Sequence, residues 1–160
     1  MSHDSAAARA RAGANTSRDL LRTAAAVVGA VFLLVGILGF VPGITSSYSD
    51  LTFAGHTSQA KLLGIFQVSI LHNLVHVLFG VAGLALSRSR DTARSYLVGG
   101  GAIYLVLWLY GLVVGQNSSA NFVPVNTADN WLHLVLGLGM IALALAGRRG
   151  DSRSAAAARR

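Results

Sequence analysis

The chain has 160 residues, of which 53% are hydrophobic and only 12% are charged, and its mean hydropathy is +0.56. A soluble domain usually carries about 25% charged residues, so this composition indicates an integral membrane protein. Because the sequence contains neither Cys nor Glu, it excludes disulfides, thiolate metal sites and acid/base pairs built on Glu.

Four apolar runs follow one another along the chain, at residues 20–41, 62–86, 95–115 and 129–146. Each approaches or exceeds the roughly 20 residues that a helix needs to cross a bilayer. The sequence therefore predicts an all-α fold, a bundle of four transmembrane helices. Its predicted parts are a flexible basic tail at 1–19, the transmembrane domain at 20–146 and a second flexible basic tail at 147–160.

The basic residues are distributed asymmetrically around these helices. Twelve of the thirteen lie at the two termini or in the link between helices 2 and 3, and Lys61 alone lies on the other side. By the positive-inside rule, both termini are expected in the cytoplasm. These arginines adjoin apolar spans and have no aromatic residues among them, so the net charge of +7 points to an anionic inner leaflet rather than to nucleic acid.

Helices 1 and 3 resemble each other, and so do helices 2 and 4. GAVFLLVGILG at 29–39 parallels GAIYLVLWLYG at 101–111, with Phe32 matching Tyr104, and NLVHVLFG at 73–80 parallels NWLHLVLG at 130–137. The pattern indicates a duplicated two-helix hairpin. A tandem copy inserts in the same orientation, so the halves are expected to be related by a pseudo-two-fold axis along the membrane normal. His76 and His133 would then face each other near that axis.

Polar and small residues form one stripe on helix 2 and a matching stripe on helix 4. Their members are Ser69, His72, Asn73, His76, Gly80 and Gly83 on helix 2, and Asp129, Asn130, His133 and Gly137 on helix 4. Lipid cannot hydrogen-bond these side chains, so the stripes should face protein or trapped water.

Four interpretations of the stripes are open. In the first, Asn and His side chains form hydrogen bonds across the helix interface and fix its register. Two imidazoles, His76 and His133, suit the axial positions of a haem b, with the asparagines beside them and Gly80 and Gly137 leaving room for the macrocycle. A divalent metal is a third option, with the ligands His72, His76, His133 and Asp129. The fourth is a quinone site or proton relay.

Two further expectations concern contacts. Because His72 and Asp129 directly precede the two matching asparagines, we expect them to form a hydrogen-bonded pair. Small residues on helix 1, at Gly29, Gly36 and Gly39, either offer a contact surface for a homo-oligomer or a larger membrane complex or pack within the bundle. These features favour a binding or assembly component over a catalyst, and the alternative is a haem- or metal-binding redox protein.

The stretch HNLVHVLFGVAGLAL, the arginine-rich link after it, Tyr104 and the segment PVNTADNWLH at 124–133 together resemble a known family. It is a four-helix actinobacterial membrane family, domain of unknown function forty-three eighty-three, and the resemblance covers about residues 22–146. It implies four membrane helices and a bacterial plasma-membrane location. It implies no established activity.

Overall fold

The computed structural model describes the backbone of residues 2–158 and the side chains of residues 20–147 and Ala156. Its four helices confirm the all-α fold, and they are α1 (Ser2–Leu38), α2 (Ile70–Leu86), α3 (Arg90–Val113) and α4 (Thr127–Ala158). Among the described residues, three segments are long and apolar enough to cross a membrane, namely Leu20–Leu38, Arg90–Val113 and Thr127–Gly147.

Helix α2 is shorter than the apolar run that predicted it. It has 17 residues, or about 25 Å of length, and it begins at Ile70 rather than near residue 62. The preceding segment turns back on itself because Leu63 and Gly64 both have positive φ angles, of 54° and 72°. A small antiparallel sheet results, with β1 (Thr45–Ser46), β2 (Lys61–Leu62) and β3 (Phe66–Gln67) in that order.

The first and last helices of the chain, α1 and α4, extend beyond the predicted membrane spans. Helix α1 begins at Ser2 rather than near residue 20, and α4 continues to Ala158. Both tails are rich in Ala and Arg, which are strong helix formers, so the helix continues through the tail segments at 2–19 and 147–158. The flexibility of the tails stays a prediction.

Each hairpin is a pair of antiparallel helices held close by glycines. A Cβ at Gly29 would lie 2.9 Å from the carbonyl oxygen of Gly80, and a Cβ at the matching Gly101 would lie 2.9 Å from that of Gly137. The same relation therefore holds in both halves of the molecule. Only a residue without a side chain allows backbones to approach this closely, so the glycine pattern sets the packing of α1 on α2 and of α3 on α4.

The two ends of the bundle differ in chemistry. At one end, which we call the arginine end, Arg22 Nε donates to the carbonyl oxygen of Ser87 at 3.3 Å and Arg90 Nη2 donates to that of Gly147 at 3.4 Å. At the other end, the loop end, the sheet meets residues 114–126. There Gly55 N donates to the carbonyl oxygen of Phe122 at 2.8 Å. The sides between these ends carry exposed Val, Leu and Ile side chains, as expected of a surface that faces lipid.

Candidate functional site

Both polar stripes begin at a helix N-cap. Ser69 Oγ accepts a hydrogen bond from the backbone N–H of His72 at 3.1 Å. At the matching place in the second hairpin, Asn126 Oδ1 accepts from the backbone N–H of Asp129 at 3.0 Å. Ser and Asn are preferred at this position because they satisfy an N–H that the helix itself leaves free. The two caps fix the same starting register in α2 and α4.

Two imidazoles on α2 stack on each other. The rings of His72 and His76 lie 4.3 Å apart and are nearly parallel, at 6°. His76 Nδ1 is 3.0 Å from the carbonyl oxygen of His72. Because a carbonyl oxygen only accepts, His76 Nδ1 carries a proton and donates it to this bond.

The other nitrogen of His76 is bound by a tyrosine from α3. His76 Nε2 lies 3.3 Å from the hydroxyl of Tyr104. In the neutral imidazole, a protonated Nδ1 leaves Nε2 as the acceptor, so Tyr104 donates to it. Both ring nitrogens of His76 are therefore engaged.

The aromatic contacts around Tyr104 follow the internal repeat. The ring of Tyr104 lies 5.2 Å from that of His133, and the ring of its counterpart Phe32 lies 5.4 Å from that of His76. Phe32 and Tyr104 also contact each other, with ring centroids 5.3 Å apart. The predicted convergence of the two hairpins is therefore seen at these side chains. We call His72, His76, Tyr104 and His133 the His–Tyr cluster.

His133 differs from its counterpart in its hydrogen bonding. Its side chain is only 4% exposed, and its Nδ1 has no hydrogen-bond partner among the described residues. A buried polar nitrogen without a partner costs about 1–3 kcal/mol. His133 therefore keeps a hydrogen-bonding capacity that no described residue uses.

Two cavities adjoin the His–Tyr cluster. Cavity 1, of about 270 Å³, lies between α2 and α3, and its apolar walls include Val75, Phe79, Ile103, Leu107 and Phe122. Cavity 2, of about 100 Å³, lies between α1 and α4, and its walls include Val35, Leu132 and Leu136. All four residues of the His–Tyr cluster line both cavities.

The two cavities are counterparts under the internal repeat. Leu107 of cavity 1 corresponds to Val35 of cavity 2. The two residues are 72 positions apart, the same offset as between Gly29 and Gly101. Three further pairs of cavity residues are 57 positions apart, the same offset as between His76 and His133. They are Val75 with Leu132, Phe79 with Leu136 and His72 with Asp129. The duplication therefore produced two related cavities, of which one is now larger.

Asp129 does not pair with His72, which corrects the expectation from sequence. Its Oδ2 accepts hydrogen bonds from the backbone N–H of Asn126 and from that of Gln67, both at 3.0 Å. With the reciprocal bond from its own N–H to Asn126, Asp129 completes a capping box. The bond to Gln67 also ties α4 to the small sheet.

The matching asparagines and glycines lie in the helix contacts rather than in the cavities. A Cβ at Gly39 would overlap the side chain of Asn73, and one at Gly111 would overlap that of Asn130. The expected hydrogen bonds across the interface are incomplete. Asn73 Nδ2 and Asn130 Oδ1 have no hydrogen-bond partner among the described residues. These asparagines fill the close helix contact at the loop end.

Gly80 and Gly137 do not leave room for a macrocycle, which corrects a second expectation. The space that a side chain would take at Gly80 holds the backbone of Leu33, and at Gly137 it holds the Leu105 side chain and the Gly101 carbonyl. Both glycines serve the close approach of two helices.

One family model matches most of the chain. The family described as "Domain of unknown function (DUF4383)" matches residues 22–146, a range that contains α2 and α3 and nearly all of the apolar parts of α1 and α4. The chain belongs to this family. No curated protein and no solved structure matches the chain.

Neither haem nor metal ligation gains support from the side chains of this DUF4383 protein. Within the part of the chain whose side chains are described, no group of three or more His and Asp residues is placed to hold a metal ion. A histidine that binds a metal needs a free lone pair on a ring nitrogen. The lone pair of His76 Nε2 instead accepts a hydrogen bond from Tyr104. The carboxylate of Asp129 is used by two backbone N–H groups.

The sequence did not single out the central role of Tyr104. Its hydroxyl binds His76 and its ring contacts His133, whereas the sequence analysis used it only as the match to Phe32 and in the family resemblance. A signal was present, because Tyr104 is the hydroxyl-bearing counterpart of Phe32 in the repeat. The apolar wall residues Phe79 and Leu107 were also missed, since no pattern distinguishes a cavity wall from a packed core position.

Proposed function

We propose that this DUF4383 protein is a multi-pass protein of the bacterial plasma membrane that binds a small lipid-soluble molecule in cavity 1. It acts as a binding component rather than a catalyst. Both termini lie in the cytoplasm, where the arginine end meets an anionic inner leaflet. The positions of Arg22 and Arg90 at one end of the bundle support this orientation.

The observation that carries the proposal is a buried imidazole with an open nitrogen beside an apolar cavity. His133 lines cavity 1, and its Nδ1 has no partner among the described residues. Ligand sites are usually concave and mostly apolar, with a few polar groups that orient the ligand. Cavity 1, at about 270 Å³, has this composition.

The position of the rim residues supports entry from the bilayer. Val75 and Ile103 line cavity 1, and both are about half exposed on the outside of the bundle, at 51% and 53%. Helices α2 and α3 make few contacts with each other compared with the two hairpin pairs. A hydrophobic ligand would therefore pass between α2 and α3 without crossing water.

The glycines of α1 do not support an oligomer through that surface. A Cβ at Gly29 would meet Leu84 N at 2.8 Å, and one at Gly36 would meet Val77 N at 2.7 Å. Gly39 lies against Asn73 in the same hairpin. These small residues are used within the chain, so the proposed function does not depend on a second copy.

Extraction of bound molecules tests the proposal. The protein is purified in mild detergent, and its organic-soluble contents are quantified by mass spectrometry for the wild type, Leu107→Trp and Val35→Phe. Leu107→Trp fills cavity 1, and Val35→Phe enlarges the matching residue in cavity 2 as a control. We expect a small apolar molecule near one per protein in the wild type and in Val35→Phe, and its loss in Leu107→Trp. Equal contents in all three proteins would overturn the proposal.

A further inference from the structure

We infer that the molecule held in cavity 1 is a quinone or its quinol, a planar ring with two oxygen groups on an apolar tail. The inference rests on the proposed function and names the ligand class for the same cavity. It concerns binding alone.

The first observation is that cavity 1 offers two imidazoles and not one. No hydrogen bond joins either ring nitrogen of His72 to another described residue, and its ring faces the cavity beside the stacked His76. The His133 ring lines the same cavity, and no hydrogen bond joins either of its ring nitrogens to another described residue. A ligand with two polar atoms would satisfy both imidazoles at once, whereas a plain hydrocarbon would leave both unpaired.

The second observation is the chemistry of a neutral imidazole, which has one donor and one acceptor nitrogen. A quinone has two carbonyl oxygens that accept hydrogen bonds, and a quinol has two hydroxyl groups that can donate them. His72 and His133 are able to serve either form. His76 is not, because its nitrogens are bound to the His72 carbonyl and to Tyr104.

The third observation is the shape and lining of the cavity. Aromatic side chains of Phe79, Tyr104 and Phe122 line it, and aromatic rings prefer offset-stacked or edge-to-face contacts with one another. Its rim opens between α2 and α3 at Val75 and Ile103. A ring in the cavity would therefore contact other rings while its tail extends into the lipid.

Two probes distinguish a quinone from any other apolar ligand. The wild-type protein in lipid nanodiscs is titrated by calorimetry with a naphthoquinone that carries a short alkyl tail, and with the alkylnaphthalene that has the same tail and no oxygen atoms. We expect the naphthoquinone to bind about tenfold tighter or more, since two hydrogen bonds are gained. Equal affinities would overturn the inference, and this comparison requires no variant to fold.

Histidine variants locate the polar contacts. His72→Phe and His133→Phe should each weaken naphthoquinone binding by about threefold to tenfold and leave alkylnaphthalene binding unchanged. His133→Gln keeps a donor and an acceptor and should retain part of the affinity. His56→Phe is the matched control, since His56 lines neither cavity. Unchanged naphthoquinone affinity in both cavity variants would overturn the inference.

The proposed function and the inference fail in different ways. If alkylnaphthalene binds as tightly as the naphthoquinone and Leu107→Trp removes both, the inference is wrong and the apolar binding site stands. If the naphthoquinone does not bind while a different molecule is extracted from the wild type and lost in Leu107→Trp, the inference is again wrong and the proposed function stands. If neither probe binds and Leu107→Trp loses no extracted molecule, both are wrong.

Discussion

Phe32 and Tyr104 occupy matching places in the two hairpins and contact each other near the centre of the bundle, with ring centroids 5.3 Å apart. They differ by one hydroxyl group. The hydroxyl of Tyr104 binds His76 Nε2, and the hydrogen that Phe32 has in its place cannot bind His133, the counterpart of His76. His76 Nε2 is therefore bound, whereas His133 lacks the matching bond at its own Nε2 among the described residues.

Phe32→Tyr should supply a partner for Nε2 of His133, the nitrogen that matches the Tyr104-bound Nε2 of His76. The pseudo-symmetry places the new hydroxyl toward His133 as Tyr104 is placed toward His76, and one hydrogen bond contributes about 0.5–1.5 kcal/mol. We expect the free energy of unfolding in detergent to rise by about that amount. Tyr104→Phe, the reverse change, should lower it by a similar amount. A loss of stability in Phe32→Tyr would show that the two hairpins do not match at this position.

The repeat and the four helices could be predicted because both leave a regular spacing of residues in the sequence. Apolar runs of membrane length indicate helices, and two offsets of matching residues indicate two hairpins. The short length of α2 could not be predicted in this way. Leu62, Phe66 and Val68 are as apolar as a membrane helix, but they form the core beneath the sheet at the loop end, and apolar periodicity over so few residues does not separate strand from helix.

Gly80→Ala should destabilise the protein strongly. The added Cβ would meet the backbone of Leu33, which cannot move without shifting the helix, and overpacking costs about 1–3 kcal/mol. Gly137→Ala should cost less, because part of what it meets is the Leu105 side chain. Gly99→Ala is the control, since nothing lies within 4 Å of its Cβ position. In thermal unfolding in detergent, the loss of stability should be largest for Gly80→Ala, smaller for Gly137→Ala and smallest for Gly99→Ala. Equal losses of stability in the three variants would contradict the glycine packing.

Asp129→Ala should loosen the contact between α4 and the sheet. Two backbone N–H groups, of Asn126 and Gln67, lose their acceptor, and loss of a cap or a buried partner costs about 1–3 kcal/mol. Hydrogen exchange at the Gln67 amide should accelerate together with a fall in thermal stability. Asp50→Ala, at an exposed position on the loop end, should change neither. Unaltered exchange at Gln67 would contradict the role given to Asp129.

The orientation of the bundle predicts which sites are accessible from outside the cell. The native chain has no Cys, so single cysteines report their own position. Ser47→Cys and Ser119→Cys, at exposed positions on the loop end, should react with an impermeant thiol reagent in intact cells. Arg88→Cys, at the arginine end, should react only after lysis. The reverse pattern would contradict cytoplasmic termini.

The candidate site could be predicted only in part. The matching histidines were visible from the repeat, and they do line shared cavities. The pairing of His72 with Asp129 was wrong because matching positions need not contact each other. Asn126, three residues before Asp129, completes a capping box, and this nearby partner competes successfully for the carboxylate. The cavities themselves depend on how Phe79 and Leu107 pack, which no local pattern encodes.

The most direct measurement is nitrogen NMR of the histidine rings in nanodiscs, before and after addition of the naphthoquinone. The two nitrogen shifts of an imidazole show which one carries the proton. We predict that His76 is protonated at Nδ1 in both states, whereas the ring signals of His72 and His133 change on binding. A shift of His76 with unchanged signals from His72 and His133 would contradict the account, because the ligand would then occupy a different place.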